Sequence, residues 1–164
     1  LSMSMLITND AELAKKTQLC VTQQLEKLPK RDIAAKALEN HGAVVLVSDM
    51  REAVALANRV APEHLELCVA DPDALLPVIR NAGAVFMGHY TPEPIGDYYA
   101  GPNHVLPTSG TARFFSALGV DQYTKRMSVV RYTETALMAD AQDIMTLAQT
   151  EGLFAHANAI KVRI

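Results

Sequence analysis

The stretch Ala43-Val44-Val45-Leu46-Val47, followed at once by Ser48-Asp49-Met50-Arg51-Glu52, decides the fold class. Five consecutive apolar residues rich in Val read as a strand covered on both faces. The Ser, Asp and Glu that follow are the composition of a capped helix start, in which a carboxylate reaches back to a free backbone N–H. A strand running straight into a capped helix is half of a βαβ unit. Working outward, the alternation repeats: a helix to about Val60, a strand at Leu65 to Val69, a helix at Ala74 to Arg80, and a strand at Ala84 to Met87. This order predicts an α/β chain with an incomplete, mainly parallel sheet and flanking helices.

Upstream, Leu13, Cys20, Val21, Leu25 and Leu28 recur at helical spacing behind the capping side chains of Thr8-Asn9-Asp10. Pro29 ends that helix. A second helix is predicted from about Arg31 to Asn40, closed by His41-Gly42 with the glycine in the left-handed conformation. His41 is then a capping or surface residue. Leu1 to Met5 lack the charged leading region and apolar run of a signal peptide, and read as an added stretch or a start within a longer chain.

Downstream of Met87 the pattern changes. Four prolines and four glycines fall between Gly88 and Gly110 without sustained periodicity, which predicts a long ordered loop of the kind that usually carries function. It contains His89, Glu93, Asp97, Asn103 and His104. A short helix near Thr111 to Leu118, a strand at Met127 to Tyr132, and helices at about Thr135 to Thr150 and Leu153 to Val162 follow, with Gly152 as hinge or cap. The chain thus divides into a partial α/β domain, 1–118, and a strand-and-helix arm, 119–164.

Composition narrows the function classes. A chain of 164 residues, 49% hydrophobic and 20% charged, has room for one packed core with an appendage. Its net charge of -3 supplies no basic field for a nucleic acid, and its longest apolar runs are far too short to span a bilayer. Cys20 and Cys68 sit among apolar neighbours without paired spacing, and are read as small core residues in a reducing compartment.

Several residues suit chemistry, and each has a plainer reading beside it. Glu63-His64 sets a carboxylate next to an imidazole between a helix and a strand, which suits proton transfer but equally a solvated turn. Asp97 lies among glycines that let a ligand approach, where it suits a cation or an Asx turn closing on its own backbone. His104 precedes the apolar Val105-Leu106 and suits a packed loop, and His89 is assigned to structure. His156 lies on an alanine-rich helix that another surface can approach closely. No H-x-x-x-H, C-x-x-C or H-E-x-x-H occurs, so any metal site is assembled from residues distant in sequence. There is no G-x-G-x-x-G between strand and helix, and no G-x-S-x-G elbow.

Three segments in this order, Ala61-Pro62-Glu63-His64-Leu65-Glu66, Gly101 to Ser116 (GPNHVLPTSGTARFFS) and Glu151-Gly152-Leu153-Phe154-Ala155-His156-Ala157, closely resemble the C-terminal part of histidinol dehydrogenases. The resemblance runs from about Leu6 to the end. It implies Rossmann-like domains without the glycine fingerprint, and a cytoplasmic zinc-dependent homodimer that oxidises L-histidinol through histidinaldehyde to L-histidine with two NAD. It implies that Glu63 activates the water that attacks the aldehyde stage and that His64 takes the proton from the alcohol. Asp97 and His156 match zinc ligands, the latter reaching the partner subunit on a swapped C-terminal arm. His64, Asp97, His104, Glu151 and His156 match substrate-contacting positions. Two further zinc ligands, a Gln and a His, and most NAD contacts belong to a region that these 164 residues lack, so this chain alone is expected to be inactive and to self-associate through exposed apolar surface. The alternative is a non-catalytic dimerisation or ligand-binding module on the same fold.

Overall fold

Strands β1 (Ser4–Thr8) and β2 (Gly42–Leu46) pair in parallel, with Leu6 beside Val44 and Thr8 beside Leu46. The crossover between them carries helices α1 (Ala11–Leu25) and α2 (Arg31–His41), both of which lie against β2. β2 leads into α3 (Met50–Val60), which packs on β1. The second half repeats the plan. Strand β3 (His64–Leu67) pairs in parallel with β4 (Ala84–Met87), across α4 (Pro72–Leu75) and a 3-10 turn at Leu76–Val78. The computed structural model describes residues 2–164 and falls into two compact units, Leu1–Tyr123 and Thr124–Ile164.

The α/β reading with parallel strands holds, but the strands form two separate pairs and not one sheet among the described residues. The helix start after β2 is as expected. The Asp49 carboxylate accepts the N–H groups of Arg51 and Glu52, both at 2.9 Å, while the Glu52 carboxylate accepts Ser48 N at 2.7 Å and Ser48 Oγ at 2.8 Å. These bonds hold the Glu52 carboxyl below its ordinary range, the Ser48 N–H contributing most.

Other expectations are corrected. β1 is a strand that the sequence pattern does not show, and it takes in Ser4 and Met5 of the stretch read as an addition or a start within a longer chain. β2 is not covered on both faces: Val44 is 37% and Leu46 57% exposed, while Val47 just beyond them is buried. An unbroken apolar run shows what both faces would accept, not what lies against them. Gly42 is extended (φ -79, ψ 143) and is the first residue of β2, not a left-handed cap. The helical stripe of α1 is largely uncovered, with Leu13, Leu19 and Val21 exposed. Cys20 and Cys68 are exposed too, which removes the core reading of both. The helix expected to Arg80 is one turn of α-helix and one of 3-10, interrupted at Pro77.

The second unit consists of an irregular stretch, 124–133, and a helical hairpin of α6 (Glu134–Thr150) and α7 (Phe154–Lys161). No strand forms at Met127 to Tyr132, where Val129 and Val130 are strongly exposed, because a strand needs a neighbour's backbone to pair with. Gly152, at φ +75, ends α6. Its N–H bonds Gln149 O at 2.9 Å and the Leu153 N–H bonds Ala148 O at 2.7 Å, the paired closure of a Schellman cap. The hairpin buries Ala141 and Ala157, small enough to let the helix backbones approach.

Candidate active site

The register of β3 against β4 builds the site. His64 pairs with Ala84 and Glu66 with Phe86, so these four share one face, while Leu65 and Leu67 point to the other. Period-two alternation therefore puts an imidazole and a carboxylate side by side above a sheet whose opposite face is apolar. Phe86, 6% exposed, lies 5.8 Å from the His64 ring, centroid to centroid.

The chain then turns back over this face. Thr91 Oγ1 donates to Met87 O at 2.7 Å, and helix α5 (Glu93–Tyr98) begins two residues later. The sequence reading gave this stretch as loop because Pro92, Pro94 and Gly96 obscured it, yet a proline in the first turn of a helix costs no hydrogen bond. Two contacts fix α5 to the sheet. The Glu93 N–H donates to Glu66 Oε1 at 2.8 Å, and Gly96 sits so close to Phe86 that an added Cβ would lie 2.7 Å from the ring.

The helical period does the rest. Glu93 and Asp97, four residues apart, fall on the same side of α5 and face His64. His64 Nε2 lies 3.7 Å from Glu93 Oε1 and 3.9 Å from Asp97 Oδ1, with all three side chains partly buried. That nitrogen is closed off from solvent without a hydrogen-bond partner. Burial first, then a hydrogen bond shared with Asp97 and the Asp97 charge, push the Glu93 carboxyl above its ordinary value, with His64 pulling the other way. The donor atoms of His64, Glu93 and Asp97 lie within 4.8 Å of one another, and an imidazole nitrogen with carboxylate oxygens is a donor set that suits zinc.

The turn that launches His64 is held from behind. Ala61, fully buried, caps α3 in the left-handed region at φ 52, a strained position for a residue with a Cβ. Gly83 N–H donates to Pro62 O and Ala84 N–H to Glu63 O, both at 2.9 Å, and a Cβ on Gly83 would lie 2.5 Å from Glu63 O. Asn58 of α3 ties down the approach to β4, its Oδ1 accepting the N–H groups of Arg80 at 2.7 Å and Asn81 at 3.1 Å. Arg113 donates to the carbonyls of Gly110 and Arg59, linking the turn after Pro107 to the end of α3.

The expected residues separate into two groups. His64 and Asp97 are brought together, and the Asx-turn reading of Asp97 is excluded by its place in α5. Glu63, next to His64 in sequence, is not among the three clustered side chains. His104 is exposed, not packed, in a loop where Asn103 Oδ1 accepts Val105 N–H at 2.8 Å, and His89 is exposed. The expected helix over Thr111 to Leu118 is a single 3-10 turn at Thr111–Arg113. Glu151 and His156 are exposed in the second unit, on the α6 cap and on α7. In the sequence Glu93 is named only among the residues of the long loop, with no role, and Glu66 is given none either, although the H-x-E spacing of the strand and the E-x-x-x-D spacing after Pro92 are present to be read. A separate open groove of about 730 Å³, lined among others by Val54, Leu75, Arg59 and Arg80, does not include the cluster.

The histidinol dehydrogenase family model matches residues 1–164. A histidinol dehydrogenase of Carboxydothermus hydrogenoformans is 56% identical over 164 residues, which cover all of this chain and 39% of that protein. One of Caldanaerobacter subterraneus subsp. tengcongensis is 51% identical over 160 residues, covering 98% of this chain and 37% of that one. The crystal structure of histidinol dehydrogenase from Elizabethkingia anophelis superposes with a TM-score of 0.82 at 34% identity, covering 97% of this chain and 36% of that chain. The chain therefore spans somewhat over a third of the length of the relatives it matches.

Proposed function

The chain belongs to the histidinol dehydrogenase family, and on that premise we propose that it is the C-terminal part of an enzyme oxidising L-histidinol through histidinaldehyde to L-histidine with two NAD. The observation that supports this reading most directly is His64 held over the face of β3–β4, its Nε2 closed from solvent and 3.9 Å from Asp97 Oδ1. Bound NAD would supply the hydride acceptor for both oxidations; of this chain's residues, His64 would take the hydroxyl proton of the alcohol, and Glu63 would take a proton from the water that adds to the aldehyde.

Asp97 and His156 are the residues of this chain that would hold zinc, and His64, Asp97, His104, Glu151 and His156 those that would contact the substrate. A carboxylate oxygen and an imidazole nitrogen, the donors these two residues offer, are among those that suit zinc. Bound zinc supplies a Lewis acid that orients the nitrogen donors of the substrate. The assembly is proposed to be a cytoplasmic homodimer in which α7 serves the partner's site. The described residues contain no helix long and apolar enough to cross a membrane.

These residues are proposed to be inactive alone, because the remaining zinc ligands and most NAD contacts lie in the part of the family's length that they do not span. The uncovered side chains of β2 and α1 support that reading, since apolar surface of this extent ordinarily has a partner. The test is NADH formation from L-histidinol, NAD and zinc, with intact mass checked on the same sample. The 164-residue chain is expected to form none, and the full-length enzyme to turn over. There, Glu63→Gln is expected to lower kcat by about 10²- to 10⁴-fold. Turnover by the short chain overturns the claim that it is inactive, and undiminished turnover in the variant overturns the role of Glu63.

A further inference from the structure

The carboxylate nearest His64 Nε2 belongs to none of the residues assigned above. Glu93 Oε1 is 3.7 Å from His64 Nε2, against 3.9 Å for Asp97 Oδ1. Glu93 is also the more firmly placed. Its N–H is bonded to Glu66 on the strand that carries His64, and its helix rests through Gly96 on Phe86, which contacts the His64 ring. Sheet, aromatic ring and helix thus form a closed frame around one imidazole, with a carboxylate set opposite its sequestered nitrogen.

Resting on the reading of His64 as the base, we propose that Glu93 is its positioning residue: the carboxylate set opposite Nε2 takes the hydrogen of that nitrogen and so holds the ring in one orientation and one tautomer. An imidazole has one hydrogen to place on two nitrogens, and the group bonded to one nitrogen decides what the other can do. A separation of 3.7 Å is longer than a hydrogen bond, and catalytic hydrogen bonds commonly tighten when substrate arrives. Asp97, the farther of the two from Nε2, is the one proposed to hold zinc. The two carboxylates of α5, one helical turn apart, therefore have separate tasks.

The experiment is steady-state kinetics on the zinc-loaded full-length enzyme, with zinc per chain measured on each variant. Glu93→Ala is expected to lower kcat by about 10- to 100-fold, as for groups that orient a functional side chain, with the KM for histidinol and the zinc content unchanged. Glu93→Gln, whose amide oxygen still accepts the Nε2 hydrogen, is expected to recover most of that loss. If Glu93→Ala does not fold, Glu93→Asp replaces it, since removing one methylene draws the carboxylate away from the ring. Zinc loss, or a rise in KM at constant kcat, assigns Glu93 to metal or substrate binding and overturns the proposal. So does full activity in Glu93→Ala where His64→Asn is inactive, a result that leaves the base assignment standing. Full activity in His64→Asn removes the base, and the proposal falls with it.

Discussion

The two strand pairs share a topology and differ in everything that matters for chemistry. β1–β2 and β3–β4 are both parallel pairs joined by a helical crossover. On β2 the residues alternating with the covered ones are Val44 and Leu46, left open to solvent. On β3 the corresponding alternation presents His64 and Glu66, and α5 folds down over them. One pair has an apolar face without a cover among the described residues, the other a polar face with one. A parallel pair is therefore only a platform. What it becomes is decided by the side chains on the face that the crossover helices leave free, and by whether the chain returns to close it.

That contrast predicts where the chain tolerates change. The largest effect is expected at Gly83, where an alanine Cβ meets a backbone oxygen that cannot swing aside. Gly83→Ala should destabilise by about 1–3 kcal/mol in a chemical denaturation series, and Gly96→Ala, pressed on the Phe86 ring, by an amount in the same range. If both are neutral, the β3–β4 side is looser than its contacts imply. Next is Asp49→Ala, which leaves two N–H groups of α3 without their acceptor and should cost about 1 kcal/mol by the same measurement.

On the open pair, Val44→Thr and Leu46→Thr are expected to shift stability by less than about 0.5 kcal/mol in the 164-residue chain. A larger loss there would mean that something covers β2, and would break the contrast. The smallest effect is in acid. The folded chain holds the Glu52 carboxyl below its ordinary range while the unfolded chain does not, so its contribution is present above the ordinary carboxylate value and is lost as pH falls through the lowered one. Comparing denaturation midpoints of the parent and Glu52→Gln between neutral pH and pH 3 should show the two curves converging in acid.

Local patterns were legible where the physics is local. Apolar runs gave β2 and β4, the Ser48–Glu52 segment gave the start of α3, and Gly152 gave the break between α6 and α7. Helix α5 was missed because its prolines and glycine are usually loop residues, and they are tolerated here only through first-turn placement and contact with Phe86. With α5 read as loop, Glu93 and Asp97 had no common side, and Glu93 was passed over. The strand at Met127 to Tyr132 was over-read for the converse reason: its residues favour extended pairing, but pairing needs a second strand.

The sequence by itself determined the alternation of strands and helices, the family, and the identity of His64 and Asp97 as residues to watch. Periodicity and motif are properties of neighbours along the chain, and nothing distant is needed to read them. The tertiary structure alone decided that Glu93 faces His64, that Nε2 is shut from solvent, and that Val44 and Leu46 are bare. Those facts depend on which side of a strand a helix returns to, and that is settled by contacts such as Gly96 on Phe86 between residues well separated in sequence.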